Sequence, residues 1–291
     1  MISDGLSAKV RMIQIRTRKN IASGFAGGYK SAFKGRGLEF EEVREYTPGD
    51  DVRDIDWNVT ARCGRPFVKR YVEERQLKII FAVDVSQSLS FGTAGRCKSE
   101  LAAEFCALVA FSAIRNNDAA GLLLFTDQVE LFVPPAKQSS HVLRLIHEVM
   151  AFKPRRKGTD IAAPLEYLGR VMHRRCVIFL VSDFFGGEFE VPLRILAKRH
   201  DLIAVRTADP RERALPDAGL MELLDPESGR RVLVDSSASD VRDKYALLSS
   251  LREERISRIF RTAGVDQISV STDKECVGAL VSFFRTRENR R

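Results

Sequence analysis

The sequence predicts an α/β protein of the Rossmann type, in which helices cover both faces of a mostly parallel sheet and a small β-rich extension precedes it. From residue 77 onward, short continuous apolar runs such as KIIFAVDVS and CVIFLVSD alternate with longer segments whose apolar residues recur every three or four positions. Continuous apolar runs are typical of strands buried on both faces, and the longer spacing is typical of helices packed along one side. The first 75 residues lack this alternation. We therefore expect an N-terminal region over residues 1–75 and a main domain over residues 76–291.

The N-terminal region is expected to begin with a helix from about Leu6 to Ala22, followed by a glycine-rich stretch. Residues 41–74 then alternate apolar with charged residues around two turn signals, Pro48-Gly49 and Cys63-Gly64-Arg65-Pro66. Such alternation, punctuated by turn residues, predicts short strands and a hairpin.

An acidic loop and the single tryptophan stand out within this region. The loop carries Asp50, Asp51, Asp54 and Asp56. It lacks the ligand spacing of a calcium-binding EF-hand. We expect its acids to pair with nearby arginines and to fix the loop. The candidate arginines are Arg44, Arg53, Arg62 and Arg65. Trp57 is expected to anchor packing, with a contact to a partner as the alternative.

The main domain continues as alternating strands and helices. Strands are expected over KIIFAVDVS, both halves of AGLLLFTDQVELFVP, CVIFLVSD, DLIAVRTAD and DQISVST. Helices are expected over residues 98–116, 141–152, 161–173, 191–199 and 238–262, with one more near the C-terminus. Gly264 is suited to end the fifth of these helices. The stretch near residues 219–235, GLMELLDPESGRRVLVD, predicts a hairpin inserted at the rim because turn residues interrupt two apolar runs.

Composition and charge bound the class of protein. The chain has 291 residues and a formal net charge of +8, which permits an anionic partner without requiring one. The basic runs are not interleaved with aromatic residues, so nucleic acid is not an expected partner. Five dispersed cysteines without a C-x-x-C spacing indicate a reducing compartment. No apolar run is long enough for a signal core or a transmembrane segment. The expected location is the cytoplasm, and the four histidines are expected at the surface.

Polar residues gather where the predicted strands end. The first strand of the main domain is followed by Asp84, Ser86 and Ser88, and a later strand, CVIFLVSD, ends in Asp183. The loop before residue 161 contributes Thr159. Ligands of parallel α/β sheets bind outside the C-terminal ends of the strands, so these residues are candidates for one site.

Carboxylates and hydroxyls together suit a hard divalent cation, Mg²⁺ or alternatively Mn²⁺ or Ca²⁺. Two carboxylates balance the charge of the ion, and neutral hydroxyls leave it electrophilic enough to take another oxygen from outside. This favours a site that binds a partner's carboxylate. Each residue also has a local alternative. Ser86 and Ser88 could form a turn or a helix cap. Thr159 or Asp160 could cap the next helix, and Asp183 could be a turn residue.

The D-x-S-x-S motif at residues 84–88, with Thr159 and Asp183 further along, resembles the metal-ion-dependent adhesion site of von Willebrand factor A domains. The resemblance implies a von Willebrand factor A-like fold and metal ligation by Asp84, Ser86, Ser88, Thr159 and Asp183. Residues 35–75, together with DVSQSLSFG, LLLFTDQVE, KGTDI and LVSDFF, are similar to the bacterial family called domain of unknown function 58.

Members of that bacterial family are commonly associated with MoxR-type AAA+ ATPases. The resemblance therefore implies an adaptor or co-chaperone that works beside such a motor, and whose metal bridges to an Asp or Glu of a protein partner. The sequence lacks the G-x-x-x-x-G-K-[ST] motif of a P-loop, so the chain is not expected to be the ATPase itself.

An enzyme is the alternative. Phosphohydrolases of the haloacid-dehalogenase type also place an Asp at the end of their first strand, and a magnesium-dependent phosphohydrolase would use Asp84. Those enzymes place a second Asp two residues on, as the general acid. This chain has Ser86 there, and a serine hydroxyl cannot serve well as an acid near neutral pH. The sequence also shows no lysine clearly placed after a matching strand.

Overall fold

The computed structural model describes residues 39–72, 76–156 and 158–290, together with single residues between positions 10 and 33. The chain divides into two compact units, a smaller one over Phe33–Leu77 and a larger one over Met1–Ala32 and Lys78–Arg291. The predicted helix from Leu6 to Ala22 lies largely outside the described residues. The predicted domain boundary at residue 75 stays a prediction.

The smaller unit contains one antiparallel strand pair. Its strands are β1 (Glu39–Glu45) and β2 (Phe67–Val72). The connection between them holds a 3-10 turn (Val52–Asp54) and a short helix, α1 (Trp57–Cys63). The predicted strands are present, but α1 corrects the expectation of only strands and a hairpin in this stretch.

Local capping explains α1. Asp56 accepts hydrogen bonds from the backbone N–H groups of Asn58 and Val59 at the start of the helix, and Gly64 ends it with a φ of 70°. Every residue of α1 is at least partly exposed, so its sequence carries no apolar stripe that would reveal a helix. Trp57 itself is 67% exposed. The prediction that it anchors packing is therefore wrong, and the partner-contact alternative stays a prediction.

The acidic loop is held by local pairing. The guanidinium of Arg44 donates to both carboxylate oxygens of Asp50, at 2.6 and 2.8 Å. This hydrogen bonding, assisted by Thr47, lowers the pKa of Asp50 to about 2. Asp51 accepts from the backbone N–H of Arg53 instead of pairing with its side chain. The predicted pairing with arginines is thus present for Asp50, whereas Asp51 and Asp56 cap backbone turns.

The larger unit is built on a six-stranded sheet. Its strands and those of an adjoining hairpin are β3 (Lys78–Asp84), β4 (Ala119–Phe125), β5 (Val129–Ala136), β6 (Val177–Ser182), β7 (Asp201–Ala208), β8 (Leu220–Leu224), β9 (Arg231–Asp235) and β10 (Asp266–Ser271). The order in the sheet is β10-β7-β6-β3-β4-β5. All neighbours are parallel except β5, which runs antiparallel to β4 and forms one edge. The predicted mostly parallel sheet is confirmed.

Helices cover both faces of this sheet, as predicted. They are α2 (Lys98–Arg115), α3 (Ser139–Ala151), α4 (Ala162–Val171), α5 (Glu190–Arg199), α6 (Pro210–Arg213), α7 (Ser239–Ala263) and α8 (Cys276–Asn289). On one face, Phe105 of α2 meets Phe179 of β6 edge-on, and Phe179 stacks on Phe81 of β3. On the other face, alternate residues such as Ile80 and Leu180 join a core with α4, α5 and α7. None of the described helices is both long and apolar enough to cross a membrane.

The ends of the longer helices agree with the sequence to within two residues, and Gly264 ends α7 with a φ of 68°. The four-residue helix α6 was not predicted, because one turn is too short to show a period. β8 and β9 pair as an antiparallel hairpin at the position where the sequence predicts one.

His200 corrects the expectation that every histidine lies at the surface. It is 2% exposed, and its Nδ1 lies 3.3 Å from Sγ of Cys176. The residue follows the last turn of α5 and precedes β7, where the chain turns into the sheet. All five cysteines are free.

Candidate functional site

Asp84 ends β3 at the C-terminal edge of the sheet and is fully buried. Its Oδ1 accepts a hydrogen bond from the backbone N–H of Ser86 at 2.8 Å, and its Oδ2 accepts one from Oγ of Ser182 at 2.7 Å. Burial raises the pKa of Asp84 to about 7, with a further contribution from the charge of Asp183, while the hydrogen bonds oppose the shift. The carboxylate is thus held at both oxygens in a site that disfavours its charge unless a cation is present.

Ser86 and Ser88 are buried directly after β3. Their hydroxyl oxygens lie 3.0 Å apart. Ser86 stands at the cap position of a 3-10 turn (Gln87–Ser90), but its side chain makes no capping hydrogen bond. The helix-cap alternative for Ser86 is therefore not supported, and the two hydroxyls face each other beside Asp84.

Asp183 follows β6, the neighbour of β3, and is 2% exposed. Its Oδ1 accepts from the backbone N–H of Phe185 at 3.0 Å, which is the turn role foreseen for it. Its Oδ2 accepts from Nζ of Lys98, a fully buried residue at the start of α2, at 2.7 Å. The same ammonium donates to Oε1 of Glu212 at 2.6 Å. Burial disfavours the charged form of Lys98, but the two carboxylates outweigh it and raise its pKa.

The backbone turns sharply after Asp183. Phe184 has a φ of 60°, a left-handed conformation that costs an ordinary residue about 1–3 kcal/mol. Its ring compensates by packing edge-on against Phe260 of α7, with ring centres 4.9 Å apart. The turn also directs the N–H of Phe184 to Oγ of Ser182. Phe184 thereby fixes two side chains of the site, the Ser182 hydroxyl that binds Asp84 and the carboxylate of Asp183.

Thr159 reaches the site from the loop before α4. Its hydroxyl donates to Oε1 of Glu227, in the turn of the β8–β9 hairpin, at 2.6 Å. Asp160 accepts a hydrogen bond from the backbone N–H of Ala162, the first residue of α4, while the N-cap position belongs to Ile161, so neither Thr159 nor Asp160 is the N-cap residue. A Cβ atom placed on Gly186 would lie 3.4 Å from the carbonyl oxygen of Thr159. The loop therefore runs beside the segment that follows Asp183.

The arrangement brings the predicted residues to one edge of the sheet, where β3 and β6 end. These strands are neighbours in the sheet, but the chain visits β4 and β5 between them, so this is a topological switch point of the kind where α/β proteins bind ligands. Every predicted ligand is an oxygen donor, and the mutual repulsion of Asp84 and Asp183 is of the kind that a cation relieves. The donor set therefore fits a hard divalent ion. Within the described part of the chain, no group of three or more His, Cys, Asp or Glu residues is placed to hold a metal, so at this site the hydroxyls would have to supply the protein ligands beyond the two carboxylates.

Two residues at this edge were not identified as site residues from the sequence. Lys98 and Glu227 are 85 and 68 positions from the residues that they contact. Lys98 had one signal in the sequence: it is a charge at the start of a mostly apolar helix, most of whose residues are buried. Glu227 had none, since a glutamate in a polar turn is ordinary at a protein surface.

Comparison with protein families gives one match across most of the chain. The family described as "Protein of unknown function DUF58" matches residues 42–255. Among related proteins, Mb1516 of Mycobacterium bovis and Rv1480 of Mycobacterium tuberculosis are each 32% identical over 287 residues, which cover 97% of this chain and 90% of theirs.

Solved structures similar to this chain share little sequence with it. An aerotolerance-related membrane protein from Bacteroides fragilis has a TM-score of 0.49 at 13% identity, covering 74% of this chain and all of that one. The conserved hypothetical protein BatB from Bacteroides thetaiotaomicron has a TM-score of 0.47 at 12% identity, covering 73% and 99%. The VWA domain of SpRpn10 has a TM-score of 0.43 at 11% identity, covering 71% and 94%.

Proposed function

This chain belongs to the DUF58 family, and we propose that it is a non-catalytic module that binds a protein partner through a divalent metal ion, preferably Mg²⁺. The ion is held by the side chains of Asp84, Ser86, Ser88, Thr159 and Asp183. The observation that carries the proposal is the pair of buried carboxylates at the ends of β3 and β6, with two hydroxyls beside one of them.

The charge and the donor types favour binding over catalysis. Two carboxylates neutralise a divalent ion, and hydroxyl ligands add no charge, so the ion keeps affinity for an anionic oxygen from outside. An Asp or Glu of a partner supplies such an oxygen. When bound, the ion provides a point of attachment, and the protein's own residues hold it in place: Ser182 and the Ser86 amide orient Asp84, and the Phe185 amide orients Asp183.

A MoxR-type AAA+ ATPase is the proposed partner or neighbour. The support is the resemblance of the sequence to a family whose members are associated with such motors, together with the absence of a P-loop from this sequence. In this proposal the chain acts as an adaptor or co-chaperone, and its cytoplasmic location stays a prediction.

The test is capture of partners from a native lysate with the immobilised chain, in Mg²⁺ or in EDTA. Wild type is compared with Asp84→Ala and with the control Asp127→Asn, which changes an exposed carboxylate in the turn between β4 and β5. The proposal expects an AAA+ ATPase to be retained in Mg²⁺ by wild type and by Asp127→Asn. It expects loss of that protein in EDTA and with Asp84→Ala. Equal retention by all three proteins in Mg²⁺ and in EDTA would refute a metal-bridged contact.

Lys98 gives the phosphohydrolase alternative more support than the sequence alone did. The sequence offered no lysine in a suitable position, but the Lys98 ammonium lies 2.7 Å from Asp183, whose charge acts on Asp84. In this alternative Asp84 is the nucleophile, and the buried ammonium beside Asp183 would bind the phosphate. Ser86 still occupies the position of the general acid. Magnesium-dependent hydrolysis of p-nitrophenyl phosphate that disappears in Asp84→Asn would establish this second function.

A further inference from the structure

Helix α7 packs on the larger unit through one stripe of its side chains. Towards its C-terminus, Ile256 and Phe260 are buried in the core beneath the helix. Closer to its middle, the hydroxyl of Ser249 donates to the backbone carbonyl of Glu212 at 2.9 Å. These residues are separated by whole turns of the helix and therefore lie on one face, the inner face of α7.

The outer face of α7 carries a second stripe, which has the spacing of a coiled coil. Its members follow one another at alternating intervals of four and three positions, as the a and d residues do in helices that pair with another helix. They are Asp240, Lys244, Leu247, Leu251, Glu254 and Arg258, all of them exposed. We call this set the outer stripe.

The middle of the outer stripe is apolar. Leu247 and Leu251 are 58% and 53% exposed, and the adjoining Leu248 is 55% exposed. The inner face already supplies the contacts that hold α7 on the sheet, so these leucines are not needed for that packing. A cluster of exposed leucines flanked by charges is the kind of patch that marks contact with another protein.

The outer stripe is self-complementary about its middle. Positions equally far from Ser249 hold either two leucines or two opposite charges. The matching residues are Leu247 with Leu251, Lys244 with Glu254, and Asp240 with Arg258. An antiparallel second copy of α7 sets each side chain against its complement, because that pairing joins the first half of one helix to the second half of the other. A parallel copy sets like charges side by side, which is unfavourable.

The one ion pair within the outer stripe does not oppose this pairing. Arg258 donates to Glu254 at 3.3 Å, one turn away on the same helix, and the two side chains are 70% and 61% exposed. An ion pair this exposed contributes little to stability. Both charges can therefore be shared with a second helix at small cost.

We propose that this chain forms a homodimer in which α7 pairs antiparallel with α7 of a second copy, about a two-fold axis at the level of Ser249. The leucines make the apolar centre of the interface, and the charges on either side fix its direction and register. A two-fold interface must be complementary to itself, and the outer stripe meets that requirement. The proposal goes beyond the metal-dependent function and does not depend on it.

Sedimentation equilibrium of the purified full chain, over a series of concentrations, measures the dimer affinity. EDTA in every sample keeps the result independent of the proposed metal site. The variants are Lys244→Glu, Glu254→Lys, the two combined, and Leu251→Asn. The matched control is Lys137→Glu, which reverses an exposed lysine directly after the edge strand β5. Circular dichroism checks that each variant keeps its fold.

Each single charge reversal should weaken the dimer about tenfold or more, because the two-fold axis repeats every repulsion. The combined variant should regain most of the association, since opposite charges face each other again. An equimolar mixture of the two single variants should do the same for that reason. Leu251→Asn should remain largely monomeric, and Lys137→Glu should match wild type.

Three results would overturn the proposal. A wild-type chain that stays monomeric throughout the series would leave the outer stripe to a different partner. A dimer that Lys244→Glu and Leu251→Asn leave intact would place the interface elsewhere. A combined variant that associates as weakly as the single reversals would exclude the antiparallel register.

Discussion

Lys98→Met tests how the buried charges at the sheet edge are balanced. Lys98 is fully buried and its ammonium lies 2.7 Å from Asp183 and 2.6 Å from Glu212. Methionine keeps much of the aliphatic length and removes the charge. Asp183, 2% exposed, is then left without its cation. Removing one partner of a buried ion pair costs about 3–5 kcal/mol of unfolding free energy, because the remaining charge is desolvated and uncompensated.

The metal changes that expectation in a measurable way. A divalent ion bound at the site can neutralise Asp183 in place of the lysine, so Mg²⁺ should stabilise Lys98→Met more than it stabilises wild type. An ion that binds only the folded state contributes about 2.7 kcal/mol when its concentration is 100 times its Kd. We therefore expect a large loss of stability in EDTA and a partial recovery in excess Mg²⁺.

Urea unfolding followed by circular dichroism, in EDTA and in Mg²⁺, measures both effects. Lys137→Met is the matched control, since Lys137 is exposed and donates to the side chain of Asn117. In the double variant Lys98→Met/Asp183→Asn both charges of the pair are gone, so it should be about 1–3 kcal/mol more stable than Lys98→Met alone. Equal unfolding midpoints for Lys98→Met and Lys137→Met in EDTA would refute the view that the ammonium compensates a buried carboxylate.

Three further predictions address the same edge of the sheet. In EDTA, wild-type stability should fall as the pH rises from about 4 to about 7. The folded state, in which the pKa of Asp84 is raised to about 7, keeps a proton that the unfolded state releases near pH 4. Asp84→Asn should therefore reduce the dependence of the unfolding free energy on pH by up to about 1.4 kcal/mol per pH unit, as measured by urea titrations. Gly92→Ala should cost about 1–3 kcal/mol by thermal unfolding, because the new Cβ would lie 2.1 Å from the carbonyl of Arg96; wild-type stability would contradict the close approach of these two backbone segments. Phe184→Ala should lose about 3–5 kcal/mol along with its packing on Phe260, and a loss below about 1 kcal/mol would show that the ring contact contributes little to stability.

The strands and long helices of the larger unit could be predicted from the sequence because each signal is local. β3, β4 and β6 are buried along nearly their whole length, so their sequences are continuous apolar runs. α1 could not be predicted in this way: its residues all remain partly exposed, and its boundaries depend on single capping residues, Asp56 and Gly64.

The candidate site likewise contains some residues that a local motif reveals and others that only the folded structure reveals. Asp84, Ser86 and Ser88 lie within five positions, and a motif spanning a strand end is visible in the sequence. Lys98 and Glu227 enter the site only through tertiary contacts with Asp183 and Thr159. The neighbouring sequence does not indicate which distant carboxylate a lysine at a helix start will contact. It likewise does not indicate which distant hydroxyl a glutamate in a hairpin turn will contact.

The antiparallel edge strand β5 has a consequence for how this chain associates with others. Pro134 and Pro135 are consecutive residues of β5, and neither has a backbone N–H to donate. The regular pairing of β5 with β4 is interrupted by a register shift in the same part of the strand. An incoming strand would therefore meet an irregular edge in which two consecutive residues have no N–H to donate, and prolines on an edge strand are a common protection against edge-to-edge aggregation. Strand addition at this side of the sheet is disfavoured, and crowded copies of the chain are kept from growing through it into a continuous β-structure.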